Sequence, residues 1–151
     1  MLVALLLVFV VLVSSEKCPD DSVNSFFDKS TCFYYGTQKR AYFNAEEECR
    51  NRNGHLIKTK NTMEDIYIAQ QAVTHFTNSL TSDFWFGLNK MENNAWSWID
   101  GTKMEYSNWD KNEPYNHTDN ICGAIAFAGA HWSAQDCYKV KPFVCEFEIK
   151  V

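Results

Sequence analysis

Past residue 15 the chain has no long apolar run, no block of like charge, no low-complexity stretch and no internal repeat. Each absence closes a class of function. Spanning a bilayer takes about 20 consecutive apolar residues, so the mature chain is expected to carry no membrane anchor. Lys and Arg number 14 against 19 Asp and Glu, the net charge is −5, and no basic cluster stands out. That excludes a nucleic-acid partner, because phosphate recognition wants concentrated Lys and Arg. No close cysteine pair lies near a close histidine pair, so His55, His75, His117 and His131 do not complete a zinc module. Ser133 lies between His131 and Asp136, yet no nucleophile elbow precedes it. Neighbours on one strand rarely converge as a triad does, which leaves no hydrolase machinery to assemble.

At the amino terminus, residues 1–13 read MLVALLLVFVVLV without a charge, followed by Ser14 and Ser15 and then the first charged residues, Glu16 and Lys17. A short apolar core ending in small residues has the form of a signal peptide. The expectation is a signal peptide over 1–15 and a secreted, extracellular domain over 16–151. Six cysteines follow the leader: Cys18, Cys32, Cys49, Cys122, Cys137 and Cys145. An even count behind a leader implies a disulfide framework and leaves no thiol for cysteine catalysis, although spacing alone does not choose the pairing.

Periodicity divides the chain. The run 32–35 before Gly36 reads as a strand entering a turn. Asn44 with Glu47 forms a capping-box pattern, predicting a helix over 45–53 that Gly54 ends. A second start signal at Thr62, with Asp65 three residues on, precedes Met63, Ile66, Tyr67, Ala69 and Val73 at helical spacing. Beyond Phe76 the period shortens. Strands are expected at 84–88, 96–99, 121–127, 131–135 and 143–147, with Asp100-Gly101 as a turn. The stretch 103–120 is polar, rich in Asn and Asp, and without a period; a loop of that length in a compact domain is usually functional. Two helices followed by several short strands indicate α+β. Aromatics make up 15% of the chain, and Trp96, Trp98 and Trp132 are expected in the core.

Several of these segments, in order, resemble the C-type lectin-like domain family. Phe84-Trp85-Phe86-Gly87-Leu88 is similar to its W-I-G-L signature, and Trp96-Ser97-Trp98-Ile99-Asp100-Gly101 to its W-x-W-x-D-G stretch. Tyr106-Ser107-Asn108-Trp109 resembles the entry to its long loop, and Glu113-Pro114 falls at its E-P-N motif. Trp132 stands at the W of its W-N-D motif, and Cys145-Glu146 closes the domain. The resemblance implies two helices and two small antiparallel sheets under a long ligand loop. It also implies bridges Cys49–Cys145 and Cys122–Cys137, an amino-terminal Cys18–Cys32 bridge of the long form, and a cis bond before Pro114.

Members of that family that bind sugar through calcium ligate the ion with the E-P-N side chains, a carboxylate before the third conserved cysteine, and the W-N-D pair. Calcium wants roughly 6–8 hard oxygens, several of them anionic. Here Glu113 is kept, Tyr115 replaces the Asn, Asn120 stands two residues before Cys122, and Ser133 and Ala134 replace Asn and Asp. Lys90 and Asn94 fall at the carboxylate positions of the auxiliary calcium site. The expected ligand surface is therefore Glu113, Tyr115, Asn116, Asp119, Asn120 and Ser133. Glu113 and Asn120 are weak calcium candidates and no cofactor is expected. Asn116-His117-Thr118 is an N-glycosylation sequon on the same loop. The function implied is recognition of an extracellular carbohydrate or protein ligand without the usual calcium site, by binding and not by catalysis; the alternatives are a calcium-dependent lectin with an altered site and, from another class, a small secreted hydrolase.

Overall fold

The computed structural model describes residues 17–149, so the expected signal peptide lies outside the described residues. The elements in chain order are β1 (Val23–Asn24), β2 (Thr31–Arg40), α1 (Tyr42–Asn51), β3 (His55–Leu56), α2 (Thr62–His75) and β4 (Asp83–Asn89). After these come β5 (Ser97–Trp98), β6 (Asn120–Ala126), β7 (Trp132–Asp136) and β8 (Lys141–Glu148). Two helices on a mixed sheet make the fold α+β. The two antiparallel sheets expected are instead two arms of one hydrogen-bonded path, β1-β2-β8-β4-β6-β7, with β3 on β8 and β5 on β4. The joint is a parallel pairing at Trp85↔Phe143, where β4 meets β8. No described helix is long and apolar enough to cross a membrane.

The joint works because both strands are apolar on both faces. Alternate residues of a strand point to opposite sides. Phe84, Phe86 and Leu88 of β4 and Val144 of β8 enter a cluster with Ile68, Ala69 and Ala72 of α2. Trp85, Phe143 and Cys145 enter a second cluster with Tyr42, Ala45 and Cys49 of α1. A central layer buried on both sides accounts for the unbroken apolar runs in β4 and β8. All three bridges implied by the resemblance are present: Cys18–Cys32, Cys49–Cys145 and Cys122–Cys137.

Both helices depart from the sequence expectation at their ends. α1 begins at Tyr42, not after Asn44, and its N-cap Ala41 supplies no side-chain bond. Tertiary anchoring replaces the missing cap: Tyr42 N donates to Cys137 O at 2.9 Å, and its buried ring meets Trp85 edge-on. At the other end Asn53, at φ 63°, takes the left-handed position, with Asn53 N on Arg50 O and Gly54 N on Cys49 O. Gly54 is required for a different reason, since a Cβ there would collide with the Glu146 backbone across the β3–β8 pairing. α2 is capped one residue earlier than the Thr62 signal. Asn61 accepts from Glu64 N, and Glu64 reaches back to Lys60 N.

In α2, Asp65, Ile68, Ala69 and Ala72 face the sheet, whereas Met63, Ile66 and Val73 are exposed. The helix carries two apolar stripes. The one with small alanines allows close approach to the sheet and brings Asp65 against the long loop.

Candidate functional site

The long connection from β5 to β6 contains most of the residues expected to bind ligand, and polar bonds to its neighbours hold its shape. At its stem, Asp65 is fully buried, and its Oδ2 accepts from Tyr106 Oη at 2.8 Å and Asn108 Nδ2 at 3.0 Å. The Tyr106 hydroxyl also meets Thr62 Oγ1 at 2.9 Å. Burial pushes the Asp65 carboxyl up, with Thr59, Tyr106, Trp132 and Asn108 pulling the other way. Higher up, Trp132 N donates to Asn108 O and Asp110 N to Trp132 O, both at 2.9 Å, so the loop runs beside β7. The buried Trp132 ring receives Tyr106, Trp109, Trp98 and Phe86 around it. Trp132 and Trp98 are core residues as expected, while Trp96 is half-buried against Trp109.

At the tip, the Glu113–Pro114 bond is cis, as the resemblance implied. Glu113 is half-buried, and a single oxygen, Oε2, accepts from Tyr115 N at 2.7 Å and Ala134 N at 3.0 Å. Ala134 therefore contributes its backbone N–H to the carboxylate where the family has a side-chain oxygen. Tyr115 is 61% exposed, and its ring lies nearly parallel to that of His117, with centroids 6.4 Å apart. Asn116 and Asp119 are also exposed. Asp119 N approaches His117 Nδ1 at 3.4 Å.

The structure thus gathers Glu113, Tyr115, Asn116 and Asp119 on one loop and brings Glu113 to β7. Asn120 and Ser133 take ladder positions on β6 and β7, opposite Asp136 and Ala124 respectively. The Ser133 hydroxyl accepts from Gln135 Nε2 at 3.0 Å, and among the described residues no hydrogen bond joins it to His131. Sequence reasoning missed Asp65 as an anchor of the loop, treating it as a capping residue. Its signal was a carboxylate on the apolar stripe of α2, a placement that demands partners.

Calcium does not fit this donor set. Glu113 is the one carboxylate at the family positions, and its Oε2 already accepts two backbone N–H groups. Tyr115 points a phenol and Ala134 a methyl where oxygens are needed. Among the described residues, no three His, Cys, Asp or Glu side chains are grouped to hold a metal ion.

A family profile described as the lectin C-type domain matches residues 38–147. The chain belongs to the C-type lectin domain family. It is 30% identical to snaclec 3 of Daboia siamensis over 96% of this chain and 93% of that protein. To the mouse secretory phospholipase A2 receptor it is 26% identical over 87% of its own length, and there it spans 9% of the receptor. Among solved structures, the carbohydrate-recognition domain of the mouse scavenger receptor C-type lectin superposes with a TM-score of 0.75 at 25% identity. That alignment covers 89% of this chain and 98% of the other.

Proposed function

We propose that the chain is a secreted recognition module that binds an extracellular carbohydrate or protein ligand through its long loop, independently of calcium, and that it acts by binding and not by catalysis. The observation that carries the reading is the Glu113 clasp. The carboxylate that would anchor a calcium ion instead ties the loop tip to Ala134 of β7 through two N–H bonds. A loop held in this way is ordered before any ligand arrives, and preorganisation lowers the entropic cost of binding. The contact surface is the exposed Tyr115 with His117, flanked by Asn116 and Asp119. Tyrosine suits such a surface because it offers apolar area and a hydroxyl while losing little rotamer freedom. The apolar leader of residues 1–13 and the three bridges support export to an oxidising compartment. In that setting the Asn116 sequon is a site for an N-glycan beside Tyr115.

The test is a glycan array and an extracellular-protein panel run in calcium and in chelator with the wild type and Tyr115→Ala. Binding that survives chelation and falls in the variant supports the reading. Binding seen only in calcium and lost in Glu113→Ala would transfer the chain to the altered-site lectins. Turnover of generic ester, glycoside or peptide substrates would replace both with a hydrolase.

A further inference from the structure

Below the loop stem, away from Glu113 and Tyr115, lies a cleft of about 360 Å³. One wall is the extended connection from β3 to α2, with Lys58, Thr59 and Lys60. The other is β5 and the start of the long loop, with Trp98, Thr102, Lys103 and Tyr106. None of the residues expected to bind ligand lines it. Three ammonium groups border this space, and their states differ. Lys58 Nζ is paired with Asp100 Oδ2, while Asp100 Oδ1 accepts from Thr102 N at 3.0 Å and Thr102 Oγ1 at 2.6 Å. Burial pushes the Asp100 carboxyl up, but the bonds from Lys58 and Thr102 outweigh it and hold it at about 2. Asp100 is therefore ionised at any physiological pH and neutralises Lys58. Lys60 and Lys103 are exposed, and among the described residues neither ammonium has a carboxylate within 4 Å. The remaining acid on the lining is Glu105 at the exposed rim, while on the other side of Lys60 the carboxyls of Asp28 and Glu146 lie near enough to feel its charge without pairing with it.

The aromatic side is rigid. Tyr106 is fixed at its hydroxyl by Asp65 and Thr62 and edge-on against Trp132. Trp98 is 6% exposed and packed against Phe86 and Trp132. A cleft of this size holds a ligand of one or two rings. Its walls offer two unpaired cations for a negative substituent, Glu105 and the Thr102 hydroxyl for ligand hydroxyls, and a fixed phenol ring for a flat or saturated ring face.

We infer that this cleft is a second ligand site, separate from the long-loop tip, and that it takes a hydroxylated ring carrying an anionic substituent, that is, a sulfated or carboxylated sugar. Lys60 and Lys103 receive the anion, Tyr106 carries the ring, and Glu105 with Thr102 orients the hydroxyls. Because the cations are exposed, binding weakens as salt rises. Calcium has no part in it, and neither does the Glu113 clasp.

The probes are N-acetylglucosamine 6-sulfate, glucuronic acid and unsubstituted N-acetylglucosamine, titrated against the full mature chain by two-dimensional NMR at low salt. A sulfated polymer, heparin, distinguishes a free acidic sugar from a polymeric source. The acidic sugars should shift the amides of Lys60, Thr102, Lys103 and Tyr106, in chelator as in calcium, and the neutral sugar should bind at least tenfold more weakly. Lys60→Glu with Lys103→Glu should weaken acidic-sugar binding at least tenfold, and Lys60→Ala with Lys103→Ala should do so to a lesser degree at an unchanged melting temperature. Tyr115→Ala should leave this binding intact, which keeps failure here distinct from failure of the long-loop reading. Equal binding of the neutral sugar, shifts that map elsewhere, or binding unaffected by both double variants overturns the inference.

Discussion

The two ends of this molecule hold their shape by different physics. In the body, α1 packs on β4 and β8 through a dry cluster of Tyr42, Trp85 and Phe143, and Cys49–Cys145 ties the first helix to the last strand across 96 residues. In the long loop, order comes from carboxylates: Asp65 at the stem, Asp100 at the first turn and Glu113 at the tip. Apolar packing tolerates exchange among side chains of similar size. A buried carboxylate does not, because removing it leaves several donors unpaired at once. The body therefore defines a scaffold many sequences can share, and the loop defines this particular surface.

The difference is sharpest if each end is broken separately. Replacing both Cys49 and Cys145 with Ser opens the longest covalent loop, and a bridge closing about 100 residues contributes roughly 4–5 kcal/mol. Denaturant unfolding should show a loss of about that size, with loop and body melting together. Asp65→Ala should cost less overall, about 2–4 kcal/mol, because it leaves the Tyr106 hydroxyl and the Asn108 amide without their acceptor. Its signature is spatial: hydrogen exchange should accelerate over 104–112 before the β2–β8 ladder is affected. If exchange rose evenly through the whole chain, the division between a packed body and a clasped loop would fail.

The body also has a polar weak point. Glu146 on β8 lies under the β3–α2 connection, where burial pushes its carboxyl up to about 7 despite Lys58 and Lys60 nearby. A carboxyl raised in the folded state stays protonated there while the unfolded chain ionises. Its contribution to stability is therefore complete below about pH 4.5 and is lost as pH rises through about 7. Glu146→Gln removes that titration. The variant should gain on the wild type as pH rises across this window, by on the order of 3 kcal/mol at about 1.4 kcal/mol per pKa unit. Melting curves of both proteins at pH 5 and pH 8 measure the difference, and parallel behaviour at the two pH values contradicts it.

What could be read in the sequence follows the same division. The apolar runs that became β4, β6 and β8 were legible because both faces of the central layer are buried, and the three bridges followed from the family resemblance. The short strands β1 and β3 were not legible, since a two-residue ladder has no period of its own. The start of α1 was misplaced because Tyr42 is anchored by Cys137 O, 95 residues away in the chain, whereas capping rules see only neighbours. The buried face of α2 was not legible for a related reason. Met63, Ile66 and Val73 satisfy a helical period, but Asp65 and its loop partners decide which stripe turns inward. In the candidate site, the substitutions at Tyr115, Ser133 and Ala134 were plain from the sequence. That Glu113 takes two backbone N–H groups was not, because Ala134 contributes only its main chain.

The smallest expected effect bears on the loop most directly: calcium should barely alter stability. A ligand that binds only the folded chain stabilises it by RT ln(1 + [L]/Kd). With Glu113 as the one anionic group at the family positions, affinity should be millimolar or weaker, the regime of loosely held extracellular ions. At about 1 mM calcium the stabilisation is then no more than about 0.4 kcal/mol, and for a chain of this size that moves the melting temperature by about 1 °C. An ion entering the site would find Glu113 Oε2 already accepting from Tyr115 N and Ala134 N, which leaves it the other oxygen of that carboxylate alone. Glu113→Ala separates the clasp from the metal. Loss of the two charge-assisted bonds should destabilise the loop by about 1–2 kcal/mol, and by the same amount in calcium and in chelator at matched ionic strength. If calcium instead raised the wild-type melting temperature by several degrees and Glu113→Ala abolished that rise, the carboxylate would be a ligand after all. The loop would then be ordered by the ion, with Asp119, the next carboxylate after Glu113 in the chain, available to complete its shell.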